Sequence, residues 1–170
     1  DTDIRPAHKS WLQAQYDQYL VEELCPFIRE DCEGSEQRFA ATGASLGGYD
    51  ALNAVAKHPE WFDRMVGMSG TYRMDRRMEG HWDENWYFNN PHQFLPNLSK
   101  DTEQYQNLQQ ALFVLARGRG PYENTVYSEQ TAAVLSACGI PHRLEIWGKD
   151  ADHDWPTWRT MLPLFLGHIL

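Results

Sequence analysis

The sequence predicts an α/β protein whose parallel sheet is covered by helices on both faces, and three observations carry that prediction. Short apolar runs recur at 38–42, 64–68, 111–116 and 142–147, each of strand length and too short for a core helix. Three of the four are followed by a turn and then by a stretch of helical periodicity. Strands separated by helices pair in parallel through right-handed crossovers. Gly139-Ile140-Pro141 then couples a helix stop directly to the start of the last strand.

From about residue 8 to 24 the apolar residues Leu12, Tyr16, Tyr19, Leu20 and Leu24 recur at helical spacing among Gln, Asp and Glu, which predicts an amphipathic helix. Pro26 bends or ends it, and the polar stretch 29–37, with Gly34, reads as a surface loop. Residues 38–42 form a buried strand that stops at Gly43. A helix over 46–57 packs through Leu52, Val55 and Ala56 and is closed by His58-Pro59. After the strand at 64–68, residues 71–110 show no strong periodicity but are rich in Trp82, Trp86, Tyr87, Phe88 and Phe94. So long an irregular excursion from a sheet reads as a cap over the C-terminal edge of the strands. Strand 111–116, helix 125–138, strand 142–147 and helix 156–170 complete the chain, with Pro163 kinking the last helix. No repeat or linker interrupts it, so 1–170 reads as one domain.

Fifteen Lys plus Arg against 24 Asp plus Glu give a net charge of −9, which repels polyanions and predicts neither nucleic-acid nor anionic-membrane binding. No apolar run approaches the roughly 18 residues of a membrane span. Cys25, Cys32 and Cys138 form no CxxC pair, and an odd total favours a reducing, cytoplasmic compartment. Asp1, Asp3 and Arg5 are unlike a signal peptide, although Asp1 is not an initiator Met and upstream residues, including a signal, can have been removed.

The chemistry lies in Gly43-Ala44-Ser45-Leu46-Gly47-Gly48, a G-x-S-x-G between a predicted strand and a predicted helix. Such a turn forces the serine backbone into strain, and side chains two residues either side would collide, so Gly43 and Gly47 are required there. The turn lifts the Ser45 hydroxyl above the sheet, with the Leu46 N–H placed to face a developing oxyanion. A serine nucleophile needs a base. Of seven histidines, His153 alone sits in the loop between the last strand and the last helix, the chain position a base takes in this arrangement. The expected place for the acid, the loop 117–124, has Glu123 as its single carboxylate. Asp75 is the next candidate, and Asp150, Asp152 and Asp154 read as loop and cap residues. Trp82, Trp86 and Tyr87 are candidates for an aromatic substrate wall or for packing the cap onto the body. Arg73, Arg76 and Arg77 read as a solvated face more than as contacts for an anionic substrate. Trp155 and Trp158 anchor the last helix. No metal or organic cofactor is called for, and a small-molecule ester is the expected partner.

Together with "QYDQYLVEELCPFI", "ATGASLGGYDALNAVAKHPEWFDRMVGMSG", "YFNNPHQFLPNLS" and "HDWPTWRTMLPLFL", these motifs give a chain that resembles the α/β-hydrolase esterases, on the branch of esterase D-like, enterochelin-type and feruloyl esterases. The resemblance implies a three-layer α/β-hydrolase sandwich with Ser45 as nucleophile, Leu46 as an oxyanion donor and His153 as base. Many relatives place an Asp near Gly120, where this chain offers Glu123 slightly later. They also carry several strands and a second oxyanion donor ahead of the first helix seen here. The strand from Arg38 to Thr42 is therefore expected at an open edge, to be completed by a second copy or by an N-terminal chain. Two rival readings remain: a non-catalytic scaffold, and an acyltransferase using the same nucleophile.

Overall fold

The computed structural model describes residues 5–34 and 36–169. Helix α1 (Pro6–Tyr19) opens on Pro6 at its first turn, where the missing N–H costs nothing. The chain then widens into a π-turn over Leu20–Leu24 and resumes as α2 (Cys25–Asp31). Pro26 therefore does not end the helix, because the wider turn absorbs its missing donor. The loop expected from residue 29 starts only after Asp31. There Glu33, at φ 58°, donates to the Glu30 carbonyl and Gly34 donates to that of Arg29, a left-handed helix stop.

The burial of α1 corrects the expected amphipathic face. Leu12, Tyr16 and Tyr19 are exposed, whereas Ser10, Asp17 and Leu20 are buried. Polar contacts hold the helix: Ser10 Oγ donates to Asp83 (2.6 Å), Gln13 donates to Asp50 (3.3 Å), and Asp17 accepts from Lys57 (2.5 Å) and meets His58 Nε2 (2.9 Å). Burial by itself raises the Asp17 carboxyl, but the hydrogen bonds from His58 and Lys57 outweigh it and hold the group below its ordinary value. Burial likewise disfavours charged His58, yet its bonds to Asp17 and Glu60 push it up to about 9. The raised His58 contributes stability in full below its unfolded value of 6.5 and loses it as pH rises through about 9. The lowered Asp17 contributes above the ordinary carboxylate range and loses its share as pH falls through its folded value. The cluster thus stabilises most in the mildly acidic window between the ordinary carboxylate range and 6.5, and its contribution declines from there to about 9. Urea unfolding should show wild-type stability dropping by about 1–2 kcal/mol between pH 7 and 10 from this cluster, after allowance for screening. In Asp17→Asn that decline should largely vanish, and an unchanged decline would count against the cluster.

Four strands, β1 (Phe39–Ala44), β2 (Phe62–Met68), β3 (Leu112–Arg117) and β4 (His142–Ile146), form one parallel sheet in the order β1-β2-β3-β4. Register pairs Val66 with Thr42 on one side and Val114 on the other. Alternate residues feed two cores. Met65, Phe113 and Leu115 pack with Leu52 and Val55 of α3 (Leu46–Lys57) and Leu135 of α8 (Thr125–Ala137), while Val66, Val114 and Ala116 meet Met161, Phe165 and Ile169 of α9 (Trp155–Ile169). Burial on both faces makes the central β2 and β3 largely apolar, whereas the edge strands β1 and β4 have no fully buried residue, so the buried strand expected at 38–42 is a half-exposed edge. Pro163 lies within α9 without starting a new element. On β1, Ala40 and Thr42 are exposed at the outer edge of the sheet.

The stretch 71–110 is not irregular. It folds as α4 (Asp75–Met78), α5 (Glu84–Phe88), α6 (Pro91–Phe94), a 3-10 turn (Leu95–Asn97) and α7 (Glu103–Leu108). These pieces pack on α1, α3 and α8, so most of the stretch lies along the helical layer instead of over the strand ends. Buried Asn89 pins it to α3, accepting from Tyr49 Oη through its carbonyl and from Asn53 (2.9 Å) and Lys57 (3.1 Å) through its side chain. No helix among the described residues is long and apolar enough to cross a membrane.

Candidate active site

The end of β1 turns sharply into α3, and Ser45 stands in the turn at φ 54°, ψ −116°. A Cβ on Gly43 would lie 2.1 Å from the Gly47 carbonyl oxygen, so the turn closes only with glycine at 43. The matching demand expected at Gly47 is not there, since a Cβ on it meets nothing within 4 Å. It falls instead on Gly48, whose Cβ would sit 2.9 Å from Gly70 Cα, because α3 leaves the sheet pressed against the end of β2. The Ser45 backbone is clamped on both sides: its N–H donates to the Met68 carbonyl (2.9 Å), and its carbonyl accepts from Thr71 (2.9 Å). Leu46 opens α3, where N–H groups have no acceptor within the helix.

His153 Nε2 lies 3.0 Å from Ser45 Oγ, across 108 residues of sequence. Its ring meets the Trp158 indole edge to face, with centroids 5.1 Å apart. Behind it, Glu123 is buried, its side chain 1% exposed, with Oε2 at 3.9 Å from His153 Nδ1. Oε1 accepts from Ser69 Oγ (2.5 Å) and from the Gly118 N–H (3.3 Å). Ser69 in turn accepts from Trp158 Nε1 (3.0 Å). Ser69 has φ 50° and 5% exposure, so it is a strained, buried residue tying the ends of β2, β3 and α9 together. Sequence reasoning missed this role. The signal was the Ser-Gly that follows β2, just as Gly follows Ser45 by two.

The glycines of loop 117–124 have a reason as well. A Cβ on Gly118 would fall 1.8 Å from the Ala151 carbonyl oxygen, and the Gly120 N–H donates to that oxygen (3.0 Å). His153 N–H donates to Pro121 (3.1 Å), so the loop carrying Glu123 and the loop carrying His153 are built on each other. Gly118→Ala should therefore force the two apart, costing about 2–4 kcal/mol of stability and moving His153 off Ser45. Thermal unfolding and a shifted His153 ring signal by NMR check this together.

The other candidates separate. Asp75 is paired with Arg73 (2.6 Å) and has no contact with His153. Asp154 caps α9 through the Trp155 N–H (2.7 Å), and Asp152 N–H donates to Thr157 (3.0 Å). Among the described residues no group of three His, Cys, Asp or Glu side chains is placed to hold a metal ion. A pocket of about 720 Å³ opens beside the elbow, reaching from Leu46 to Trp86. Trp82 and Tyr87 do not line it; Tyr87 borders a smaller cleft with Lys57, at the other end of α3 from Ser45. Of Trp82, Trp86 and Tyr87, candidates for a substrate wall or for packing, Trp86 alone lines this pocket, and it is buried.

A parallel sheet with a serine on a strained strand-to-helix turn, facing a histidine after the last strand, defines an α/β-hydrolase fold. The chain belongs to the esterase family, whose model matches residues 4–169. No curated protein matches it in sequence. Among solved structures it is similar to a ferulic acid esterase (18% identity, TM-score 0.68, 86% of this chain and 57% of that one). It is similar also to an S-formylglutathione hydrolase from Agrobacterium tumefaciens (16%, 0.71, 88% and 55%). A third is an enterochelin esterase from Shigella flexneri (22%, 0.62, 88% and 35%). The chain thus spans little more than half the length of the first two.

Proposed function

We propose that this chain carries the reacting centre of a serine esterase, with Ser45 as nucleophile, His153 as general base and Glu123 as the acid that orients it. The observation that supports this most is the 3.0 Å approach of His153 Nε2 to the hydroxyl of a serine held at φ 54°. Ser45 Oγ attacks the ester carbonyl carbon as its proton passes to His153 Nε2, and the negative charge on the carbonyl oxygen turns to the Leu46 N–H. The imidazolium is stabilised by Glu123, which sits nine-tenths and more buried, where a charge acts strongly. His153 then gives the proton to the departing alkoxide, leaving an acyl group on Ser45. Water, deprotonated by the same nitrogen, releases the acid. The 3.9 Å gap between Glu123 and His153 Nδ1 closes as the ring becomes charged, since such bonds tighten when the substrate is bound. The test is labelling of the purified protein with a fluorophosphonate probe, read as intact mass and as the modified peptide. One label on Ser45 is expected; an unlabelled, well-folded sample overturns the reading.

Exposed Ala40 and Thr42 on the outer strand leave its backbone open to pairing, so a second copy or an N-terminal segment is expected along β1. Light scattering on the 170-residue chain should find self-association, or else turnover should be weak. A stable monomer with full turnover would contradict this. A reducing compartment remains the expected location, supported by three unbridged cysteines, of which Cys32 is exposed.

A further inference from the structure

Ester cleavage at Ser45 needs no charge beyond its own site, yet the adjoining pocket is lined by three cations. About 720 Å³ in volume, it lies between α1, the start of α3 and residues 74–79, within the size range of small-molecule sites. Leu12, Tyr16, Leu46, Met74, Met78 and Trp86 give it an apolar lining. The exposed Leu12 and Tyr16 of α1, unexplained by packing, are accounted for as walls of this pocket.

Lys9, Arg76 and Arg77 complete the lining. Arg38, Lys57, Arg64, Arg73, Arg117 and Arg143 are each held by a carboxylate, while among the described residues other cations, Arg29 and Arg119 among them, are not. Among the described residues, Lys9, Arg76 and Arg77 have no ion-pair partner within 4.0 Å; Lys9 Nζ donates instead to the Arg77 carbonyl (3.2 Å), which ties the cations of α1 and α4 together. Two carboxylates share the pocket, Asp50 and Glu79. Asp50 is occupied by Gln13 (3.3 Å), and its burial favours the neutral form. The balance of the lining is positive in a protein of net charge −9.

We propose that this pocket selects esters with an apolar stem ending in an anionic group, a carboxylate in the simplest case. The stem lies on Leu12, Met78 and Trp86, and the anion is met by Arg76 and Arg77, whose planar guanidinium forks suit a carboxylate, with Lys9 beside them. Turnover of such esters rests on the reading of Ser45 as nucleophile; their binding does not.

The experiment separates the two. Calorimetry on the Ser45→Ala protein at low salt compares 5-phenylpentanoate with the neutral amide 5-phenylpentanamide. The carboxylate is expected to bind roughly three- to tenfold more tightly, the scale of two exposed ion pairs to Arg76 and Arg77. That ratio should fall toward one in 0.5 M salt and in the Arg76→Gln/Arg77→Gln double variant, with thermal unfolding as the check on its fold. Equal binding of the two ligands, or a preference that survives both salt and the double variant, overturns the proposal. Wild-type kcat/KM for 4-nitrophenyl esters of a carboxylate-ended acyl chain and its carboxamide-ended equivalent supplies the second arm. A binding preference with no cleavage of either ester leaves the pocket standing and refutes the nucleophile; cleavage of both at equal rates with equal binding does the reverse.

Discussion

Ser45→Ala is expected to lower ester cleavage by about 10⁵-fold or more and to abolish fluorophosphonate labelling, without loss of stability. The hydroxyl removed has His153 Nε2 as its hydrogen-bond partner, at 3.0 Å, so the fold loses little with it. What holds the turn is backbone: the bonds of Ser45 to Met68 and Thr71, and the contact of Gly43 with Gly47. The strain of a non-glycine residue at φ 54° and ψ −116° is kept by alanine and relieved by glycine. Ser45→Gly should therefore be as inactive and about 1 kcal/mol more stable. Such strain serves the elevation of a nucleophile and little else, so a variant that loses activity while gaining stability would mark position 45 as reactive. Retained ester cleavage in Ser45→Ala would end the reading of Ser45 as nucleophile, whereas a folded wild type that neither labels nor cleaves esters would revive the scaffold.

Glu123→Gln is the second large effect, a loss of about 10³- to 10⁴-fold in kcat with KM nearly unchanged. The amide keeps the volume of the buried side chain and can still accept from Ser69 and Gly118, so the loops stay docked. It cannot stabilise the imidazolium, and it permits the wrong ring tautomer of His153, with Nε2 protonated and unable to take the Ser45 proton. Glu123→Asp should recover only part of the activity, since the shorter side chain retreats from a nitrogen already 3.9 Å away. The measurement is steady-state kinetics beside the rate of fluorophosphonate labelling, which should slow in both variants without vanishing. Wild-type rates in Glu123→Gln would move the role of acid elsewhere in the chain.

The elbow could be found in sequence because its requirement is local. Gly43 must lack a Cβ to meet Gly47 four residues on, and the pattern apolar run, glycine, serine, helix states that directly. The strands were legible for a related reason. Burial on both faces removes polar residues, so Met65–Met68 of β2 and Leu112–Ala116 of β3 appear as unbroken apolar runs. Helices α5, α6 and α7, of 4–6 residues, were not seen, because one turn or little more cannot display a 3.6-residue period. For α5 and α7 the signals were caps, Asp83 and Thr102, each accepting from a backbone N–H three residues on. Asn89, which fastens that stretch to α3, carried no local pattern at all.

By itself the sequence determined the class of fold, the strained turn at Ser45 and the place of His153 after the last strand, since each follows from constraints among neighbouring residues. Tertiary structure decided the rest. Which side of α1 is buried depended on Asp50, Lys57, His58 and Asp83, distant residues that reward polar partners and leave Leu12 and Tyr16 to a pocket. That Glu123, and not Asp75, lies next to His153 depended on Ser69, Trp158 and Gly118 converging from the ends of two strands and a helix to seat one carboxylate there. Contacts between residues far apart in the chain leave no period and no spacing to read, and only the packed sheet brings them within the reach of a hydrogen bond.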